Sequence, residues 1–440
     1  MSLERPKLCI FLENSQSNLV QNTIQTCFFW YGIFMKPFTC HTLSNGVRLV
    51  CIHAPQAPVL YISWGVSAGS AQDNIFGMAH LCEHLMFTGT KKFPQYDEEL
   101  LAIGASNNAW TDQDRTIYEI ESEPQHLEKI ICIEADRWKN LPNELKTKFF
   151  HREKKVVINE LKEGLDLDPM EKWDMQNPSD VFGINHPYGH PIIGTEESVR
   201  SIRLKDVQDF YQQCYQPRYT TICVAGNINV EQTIEIVKKY WSEKHNNSIE
   251  LTSIPRPHKP QQENVHIAIP NNPPMLCWQW IIDVQSTVVA EVWSRLLSSE
   301  QYGDLYKMLV LEQYWAIDLE VQVDEHPDLS IVELRVTLAS EEHRPHVQQH
   351  LKKYLEHKVH HPFEEHLIQK IKKTLRLLWY LECEELESFK EQLMCRIMHN
   401  ACSLEENISS FQRVSPQDVE EFVQKLYTTP YIESHCYANA

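Results

Sequence analysis

Apolar residues recur along the chain with two different periods, which predict strands and helices. Continuous or alternating apolar runs predict β-strands at Val47–His53, Val59–Val66 and Thr220–Gly226. Apolar residues at helical spacing predict a helix over Glu123–Leu141. Because strand and helix signals are mixed in this way, the pattern favours an α+β fold with antiparallel sheets that are backed by helices.

One helix-and-strand pattern occurs twice in the chain. Five residues of the first copy are repeated 212 positions later: Asp206, Val207, Phe210, Gln212 and Tyr215 recur as Asp418, Val419, Phe422, Gln424 and Tyr427. A coincidence between two amphipathic helices is the alternative explanation, but five identities in a single register favour duplication. The sequence therefore predicts two similar domains.

The boundary between the two halves is predicted at 247–265. This segment contains three prolines and little hydrophobic periodicity, which is typical of a linker. The first domain is accordingly predicted over 36–246 and the related second domain over 266–440. Residues 1–35 are interpreted as a leader of uncertain order, because they form no clean signal peptide and Met35 is a plausible alternative start.

The composition is typical of a folded globular protein and argues against nucleic-acid binding and against a membrane span near the start of the chain. Of the 440 residues, 42% are hydrophobic and 23% are charged, as in folded globular proteins. The formal net charge of −19 argues against a nucleic-acid partner, because an acidic surface repels phosphates. The longest apolar run near the start, 27–35, is too short for a membrane span, which needs roughly 20 residues. Thirteen cysteines without a CxxC pair favour reduced thiols and a cytoplasmic location, with the periplasm as the alternative if the N-terminus is misassigned.

His80, Glu83 and His84 form the motif that carries chemistry. Residues four apart lie on one face of a helix, so the two imidazoles can bind one zinc ion. Glu83 lies beside them and can act as a general base towards water. A similar run at 361–366 has its histidines five apart and a proline after the first, so it is interpreted as a solvated loop and helix start.

A catalytic zinc site needs a third protein ligand, and the segment 151–166 offers candidates. Glu153 and Glu160 are seven residues apart, or two helical turns, and therefore lie on one face. Val156 and Val157 would anchor that helix to the core. An ordinary charged amphipathic helix explains the segment about equally well, so the residues alone leave the third ligand open.

The segment 80–94, HLCEHLMFTGTKKFP, resembles the insulysin, pitrilysin and mitochondrial processing peptidase family of inverted-motif zinc peptidases, and its short bacterial members in particular. Glu160 stands 76 residues after His84, the spacing at which that family carries its glutamate ligand. The resemblance implies one zinc per chain in the first of two similar domains. It also implies that Glu153 orients the metal ligands and that Asn108 holds the substrate backbone near the metal.

The chain departs from this family at one place. Active members carry an arginine and a tyrosine seven residues apart, which bind the substrate carbonyl. Val310 and Ile317 stand at those positions here, and neither side chain donates a hydrogen bond. The resemblance therefore implies a zinc-dependent endopeptidase that acts on peptides or unfolded segments and receives the missing pair from a homologous subunit or from a second copy.

Two other functions are considered. The chain could be a non-catalytic scaffold member of a larger complex, but such members usually lose a ligand or the base, and all four residues are kept here. It could also be a peptide-binding module with a structural zinc, but that site needs four protein ligands and three are found.

Overall fold

The strands of the described residues form two sheets, one in each half of the chain. The structure is a computed structural model that describes residues 24–25, 38–243, 249–257, 260–269, 272–398 and 410–437. The predicted α+β fold with two similar domains is confirmed. The predicted leader lies outside the described residues except for Ile24–Gln25, and the predicted linker lies partly outside them. No disulfide bond joins any two of the ten cysteines in the described ranges.

The first half forms a sheet in the order β1-β2-β3-β7-β4-β6-β5. Its strands are β1 Ile24–Gln25, β2 Phe38–Thr42, β3 Arg48–His53, β4 Leu60–Val66, β5 Ser106–Thr111, β6 Thr116–Ser122 and β7 Thr220–Gly226. Its helices are α1 Met78–Leu85, α2 Tyr96–Leu101, α3 Leu127–Glu144, α4 Thr147–Leu167, α5 Glu171–Phe182, α6 Glu196–Ser201, α7 Leu204–Cys214 and α8 Val230–Trp241. The three predicted strands coincide with β3, β4 and β7, and the predicted helix with α3.

The second half forms a sheet in the order β10-β11-β9-β12-β8. Its strands are β8 Asn264–Ala268, β9 Met275–Asp283, β10 Ala316–Glu325, β11 Leu329–Leu338 and β12 Tyr431–Tyr437. Its helices are α9 Thr287–Ser298, α10 Asp304–Tyr306, α11 Arg344–His360, α12 Glu365–Glu384, α13 Leu386–Met398 and α14 Pro416–Thr428. A π-helical turn, Lys307–Glu312, follows α10.

Both sheets are mixed rather than purely antiparallel. In the first sheet β3 pairs in parallel with β7, and in the second β12 pairs in parallel with β8, whereas the other pairs are antiparallel as predicted. The two strands of each parallel pair are far apart in the sequence, because a parallel connection must cross the sheet through intervening elements. The hydrophobic pattern of a buried strand does not reveal its direction, and the prediction of antiparallel sheets was therefore wrong for one pair in each.

A lysine contact occurs at equivalent places in the two halves. Lys154 on α4 donates hydrogen bonds to two backbone carbonyls just before α7, at 2.7 Å each. Lys372 on α12 does the same just before α14, at 2.8 and 2.6 Å. The helices that follow begin with a carboxylate of the capping box, from Asp206 and Asp418 respectively. The repeated sequence pattern thus has a repeated structural role, which supports the duplication.

Each half also contributes one helix to the sheet of the other half. Helix α13 packs Phe389, Leu393 and Met394 against the first sheet, and α5 packs Trp173 against the second. A partly buried ion pair reinforces the first contact, since Nζ of Lys390 lies 2.5 Å from Oε1 of Glu119. Burying each large apolar side chain contributes about 1.5–3 kcal/mol. The smaller hydrophobic clusters around these two helices therefore contain residues of both halves, whereas the main core of each half is made of its own residues.

Glu291, partly buried on α9, gives a testable link between pH and stability. Burial raises its pKa to about 7, the charge of Glu325 raises it further, and Arg396 opposes both. Since an unfolded glutamate has a pKa near 4.3, ionisation of Glu291 destabilises the fold as the pH rises from about 4 to about 7. We expect Glu291→Gln to raise the melting temperature by roughly 2–4 °C at pH 8 and to leave it unchanged at pH 4.5.

Thermal unfolding at the two pH values measures this effect. Glu300→Gln, at an exposed position in the following turn, is the matched control and should change the melting temperature little at either pH. An equal stabilisation by Glu291→Gln at both pH values would contradict the assignment.

Candidate metal centre

The helix with the HxxEH motif, α1, is fixed at its N-terminus by Asp73. The carboxylate of Asp73 accepts hydrogen bonds from the backbone N–H groups of Gly77, Met78 and Ala79, at 2.8, 3.0 and 2.9 Å. These groups have no partner within the helix, and a negative charge there also complements the helix dipole. Gly77 has a φ of 88°, and a Cβ atom would lie 2.6 Å from the carbonyl oxygen of Ile193, so only glycine allows this entry into the helix.

The C-terminal end of α1 is fixed by a buried ion pair. Arg137 and Glu134, both on α3, are 1% and 0% exposed and lie 2.6 Å apart. Arg137 donates a hydrogen bond to the carbonyl of Met86, two residues after His84, at 3.1 Å. Trp64 and Tyr96 donate to the Glu134 carboxylate at 2.6 and 3.0 Å, so the buried charge is fully hydrogen-bonded. The motif helix is thereby anchored at both ends.

The structure brings His80, His84 and Glu160 together. The Nε2 atoms of the two histidines lie 3.3 Å apart, and they lie 3.6 and 3.2 Å from the two carboxylate oxygens of Glu160. A tetrahedral zinc ion with bonds of about 2.0–2.1 Å needs ligand atoms roughly 3.3–3.4 Å apart. The three side chains therefore fit one zinc ion. In the part of the chain that the structure describes, this is the one group of three or more potential ligands close enough to hold a metal.

The protonation of two of these residues, His80 and Glu160, also suits a metal. Burial lowers the pKa of His80 to about 4, the neighbouring His84 lowers it further, and Glu160 opposes both. The hydrogen bond with His84 lowers the pKa of Glu160 despite its partial burial. For His84, burial lowers the pKa, but the Glu160 carboxylate outweighs burial and the net shift is upward. At neutral pH, His80 is therefore neutral and Glu160 is ionised, as metal ligands must be.

Glu83 lies beside the three ligands and is itself buried. It is 8% exposed, and its Oε2 accepts a hydrogen bond of 2.6 Å from the hydroxyl of Thr111, at the end of β5. Burial raises the pKa of Glu83, whereas the Thr111 hydrogen bond and the charge of His84 lower it, and the net shift is upward. A carboxylate with a raised pKa can both accept and release a proton near neutral pH.

Glu153 lies on the opposite side of the His84 ring from Glu160. Its Oε2 is 3.9 Å from Nδ1 of His84, which is too long for a hydrogen bond, and its Oε1 accepts from Arg152 at 2.6 Å. The side chain is 10% exposed. This carboxylate is therefore placed to act on the orientation of His84 electrostatically, and its role stays a prediction.

Asn108 lies on β5 with its side chain exposed. It pairs across the sheet with Glu119, whereas Thr111 pairs with Thr116. Because successive side chains of a strand alternate between the two faces, Asn108 and Thr111 project from opposite faces. The structure thus places Asn108 on the strand that leads to Glu83, but not on the face that carries the Thr111 contact.

The positions that depart from the family pattern lie in the second half. Val310 is partly buried in the π-helical turn, and Ile317, at the start of β10, is 57% exposed. Between them, Tyr314 has a φ of 55°, which is uncommon for a side chain of its size. The similar histidine run is also found there: His361 stacks on His357, and His366 contacts Glu364.

Four residues that shape the centre were not predicted from the sequence. Thr111 stands three residues after Asn108, at the end of the same strand, and only Asn108 was predicted to have a role. Glu134 and Arg137 stand three apart on a predicted helix, a spacing at which opposite charges pair. Asp73 precedes the motif helix by a few residues, where an acidic residue is a signal for a helix start.

Family models match most of the chain. Residues 48–196 match the model described as "Insulinase (Peptidase family M16)", and residues 201–375 match "Peptidase M16 inactive domain". The three candidate metal ligands and Glu83 all lie within the first match.

Curated relatives match over about half of the chain. They include "Zinc protease PqqE" of Helicobacter pylori, 29% identical over 52% of this chain and 52% of that protein. "Uncharacterized zinc protease YmxG" of Bacillus subtilis is 31% identical over 47% and 50%. "Mitochondrial-processing peptidase subunit beta" of Neurospora crassa is 29% identical over 46% and 42%. The alignments thus span about half the length of these relatives.

Solved structures resemble nearly the whole chain in fold. A protease from Helicobacter pylori matches with a TM-score of 0.82 and 20% identity, and covers 92% of this chain and 100% of that one. Pitrilysin matches with a TM-score of 0.77 and 18% identity, and covers 91% and 45%. Within the described ranges, none of the helices combines the length and apolar character that a membrane crossing requires.

Zinc content tests the assignment of the ligands. We expect the chain, purified without chelator, to hold about one zinc ion, and His84→Ala to lose it because two remaining ligands bind zinc weakly. His366→Ala, in the similar run of the second half, is the matched control and should keep the zinc. Metal analysis of the three proteins decides the matter, and zinc retained by His84→Ala would place it elsewhere.

Proposed function

Because the chain belongs to the insulinase family of peptidases, peptidase family M16, we propose that it is a zinc-dependent endopeptidase that hydrolyses peptides or unfolded segments. One observation carries the proposal: three ligand atoms surround one point, with the carboxylate of Glu83 beside them. Relatives named zinc proteases support the same activity.

The zinc ligands and the general base have separate roles in the proposed hydrolysis. A zinc ion held by His80, His84 and Glu160 would supply Lewis-acid polarisation of the scissile carbonyl and would acidify water. Glu83 accepts the proton from the attacking water and delivers it to the amine that leaves. Its burial favours this exchange because the raised pKa brings the carboxylate closer to neutral pH.

The edge of the first sheet offers a place for the peptide. In the described residues, β5 is the outermost strand and pairs with β6 on one side only. Its other edge presents unpaired backbone groups, to which an extended peptide can add as a further strand. Thr111, at the end of β5, reaches Glu83, so a peptide on this edge lies along a strand that leads to the base. Asn108 on the same strand could bind the peptide backbone with its exposed amide.

A partner subunit completes the proposal. Val310 and Ile317 cannot stabilise a developing negative charge on the substrate carbonyl, because neither side chain donates a hydrogen bond. We therefore assign this chain as the zinc-bearing subunit of a two-subunit enzyme, with a homologous subunit or a second copy that supplies an arginine and a tyrosine. One relative is itself named as a beta subunit.

A non-catalytic scaffold is the second candidate. It is favoured by one observation, the description of the matched C-terminal family model as an inactive domain. That match begins at residue 201, after the last of the four zinc and base residues. The enzyme is preferred because His80, Glu83, His84 and Glu160 are all present and lie together.

Replacement of the base separates the two candidates. We expect Glu83→Gln to keep about one zinc but to lower kcat by about 10²–10⁴-fold, because an amide cannot accept the proton. Glu163→Gln, an exposed position on α4, is the matched control and should keep its activity. A peptide-cleavage assay measures both, and an unimpaired Glu83→Gln protein would contradict the role of Glu83.

The partner proposal is tested by reconstitution. We expect the purified chain alone to cleave peptides slowly, and a homologous subunit with the arginine and tyrosine to raise kcat by about 10²-fold or more, the contribution of an oxyanion donor. The same subunit with both residues replaced by alanine should bind without this activation. Full activity of the chain as a proven monomer would overturn the division of labour.

A further inference from the structure

The general base makes one strong hydrogen bond with the protein, and that bond comes from β5. The hydroxyl of Thr111 lies 2.6 Å from Oε2 of Glu83, a short distance typical of a hydroxyl that donates to an ionised carboxylate. Among the described residues, Thr111 is the only side chain whose hydrogen bond affects the pKa of Glu83. The Thr111 contact therefore distinguishes the two carboxylate oxygens and leaves Oε1 to accept a proton.

The hydroxyl of Thr111 is oriented by its surroundings. Thr116, its partner across the sheet, donates its own hydroxyl to the carbonyl of Ala68 at 3.2 Å. The two threonine hydroxyl oxygens lie 3.4 Å apart. The single Thr111 proton goes to Glu83 and not to Thr116, because the carboxylate oxygen is nearer, at 2.6 Å against 3.4 Å, and is the stronger acceptor. The short strand end thus presents a hydroxyl donor at a defined point beside the metal centre.

The turn that follows Thr111 is tightly held. The carboxylate of Asp112 accepts hydrogen bonds from the backbone N–H groups of Asp114 and Arg115, at 2.7 Å each, and from Nε of Arg115 at 2.6 Å. The carbonyl of Asp112 accepts from the N–H of Ser70 at 3.0 Å. This Asx-type turn restricts the backbone conformation of the hairpin, so a displacement of its tip also displaces Thr111.

The tip of the hairpin is anchored to the second half. One carboxylate oxygen of Asp114 accepts from the hydroxyl of Tyr188 at 2.5 Å, and the other lies 2.8 Å from Nδ1 of His326, in the turn between β10 and β11. The Asp114 and His326 side chains are only 6% and 10% exposed. The His326 ring also packs on Tyr188, with ring centroids 4.5 Å apart. A buried contact between the halves therefore ends three residues from Thr111.

We propose that Thr111 is a positioning residue for the general base, and that the second half holds it in place through the contact between His326 and Asp114. The proposal rests on the proposed peptidase function, because a positioning role for Thr111 presupposes that Glu83 acts as the general base. On this proposal the second half contributes to catalysis without the arginine and tyrosine of active family members. Its contribution is to fix the hairpin that orients the general base.

Substitution of Thr111 tests the first step. We expect Thr111→Val, which keeps the shape and removes the hydroxyl, to lower kcat by about 10- to 100-fold with KM changed less than about threefold, because the ground-state contacts of the peptide remain. Thr111→Ser restores the donor and should stay within about threefold of the unmodified chain. Zinc content should be unchanged in both. A Thr111→Val protein with unaltered kcat, or with lost zinc, overturns the assignment.

A double-mutant cycle separates positioning from a general structural effect. In a Glu83→Gln background the base is absent, so Thr111→Val should lower the residual rate by less than about twofold. A loss as large as in the unmodified background would mean that Thr111 acts independently of Glu83, and the proposal would fail.

A crystal structure of the zinc-loaded Thr111→Val chain provides a readout that does not depend on activity. We expect the Glu83 carboxylate to rotate away from its present position. If the unmodified chain proves inactive even with a homologous subunit that carries the arginine and tyrosine, the proposed function fails, while a rotated carboxylate still supports the positioning role. An unmoved carboxylate contradicts the positioning role whatever the activity.

Substitution of His326 tests the contact between the halves. His326→Leu removes the donor to Asp114, so we expect faster amide hydrogen exchange over residues 112–116 and a fall in kcat of about three- to tenfold. His326→Asn is the conservative control, since its amide nitrogen takes roughly the place of Nδ1, and it should restore both. Unchanged exchange in His326→Leu would overturn the role of the second half.

Discussion

The geometry of the metal centre depends on how firmly helix α1 is held. Two histidines on an eight-residue helix meet a glutamate from another helix within about one ligand spacing, and a small rotation of α1 would separate them. Asp73 binds the free N–H groups at one end, and Arg137, neutralised by Glu134, binds a carbonyl just beyond the other. Loss of Arg137 would leave the buried carboxylate of Glu134 without its ion-pair partner, and loss of Asp73 would leave three backbone N–H groups without their acceptor, so either change would loosen the helix.

The second half repeats this framework without its chemistry. Counted from the equivalent lysines, Lys154 and Lys372, the position of Glu160 corresponds to Leu378, which lies six residues after Lys372 as Glu160 lies six after Lys154. The position of Glu153 corresponds in the same way to Ile371, which is 1% exposed. The scaffold contacts have been kept in both halves, whereas the ligand positions have become apolar in one.

Periodicity and spacing predicted much of the fold and part of the centre. The sequence predicted strands β3, β4 and β7 and the repeat, because burial imposes a hydrophobic period on the sequence. It also predicted the grouping of His80, Glu83 and His84, because a single helix fixes their relative positions. Glu160 could not be chosen from the residues alone, since its partnership with His84 depends on how α4 packs against α1. The exchange of α5 and α13 between the halves was equally hidden, because an apolar helix face does not say which sheet it covers.

That exchange has a consequence for the way the chain is made. The outer face of the first sheet is complete in sequence once Gly226 has been synthesised, but α13, which provides most of its cover, begins only at Leu386, 160 residues later. At about 5–20 residues per second, the ribosome needs roughly 8–32 s to reach it. Throughout that interval the nascent first half carries an uncovered apolar sheet, which is the kind of surface that chaperones bind and that aggregates when they do not.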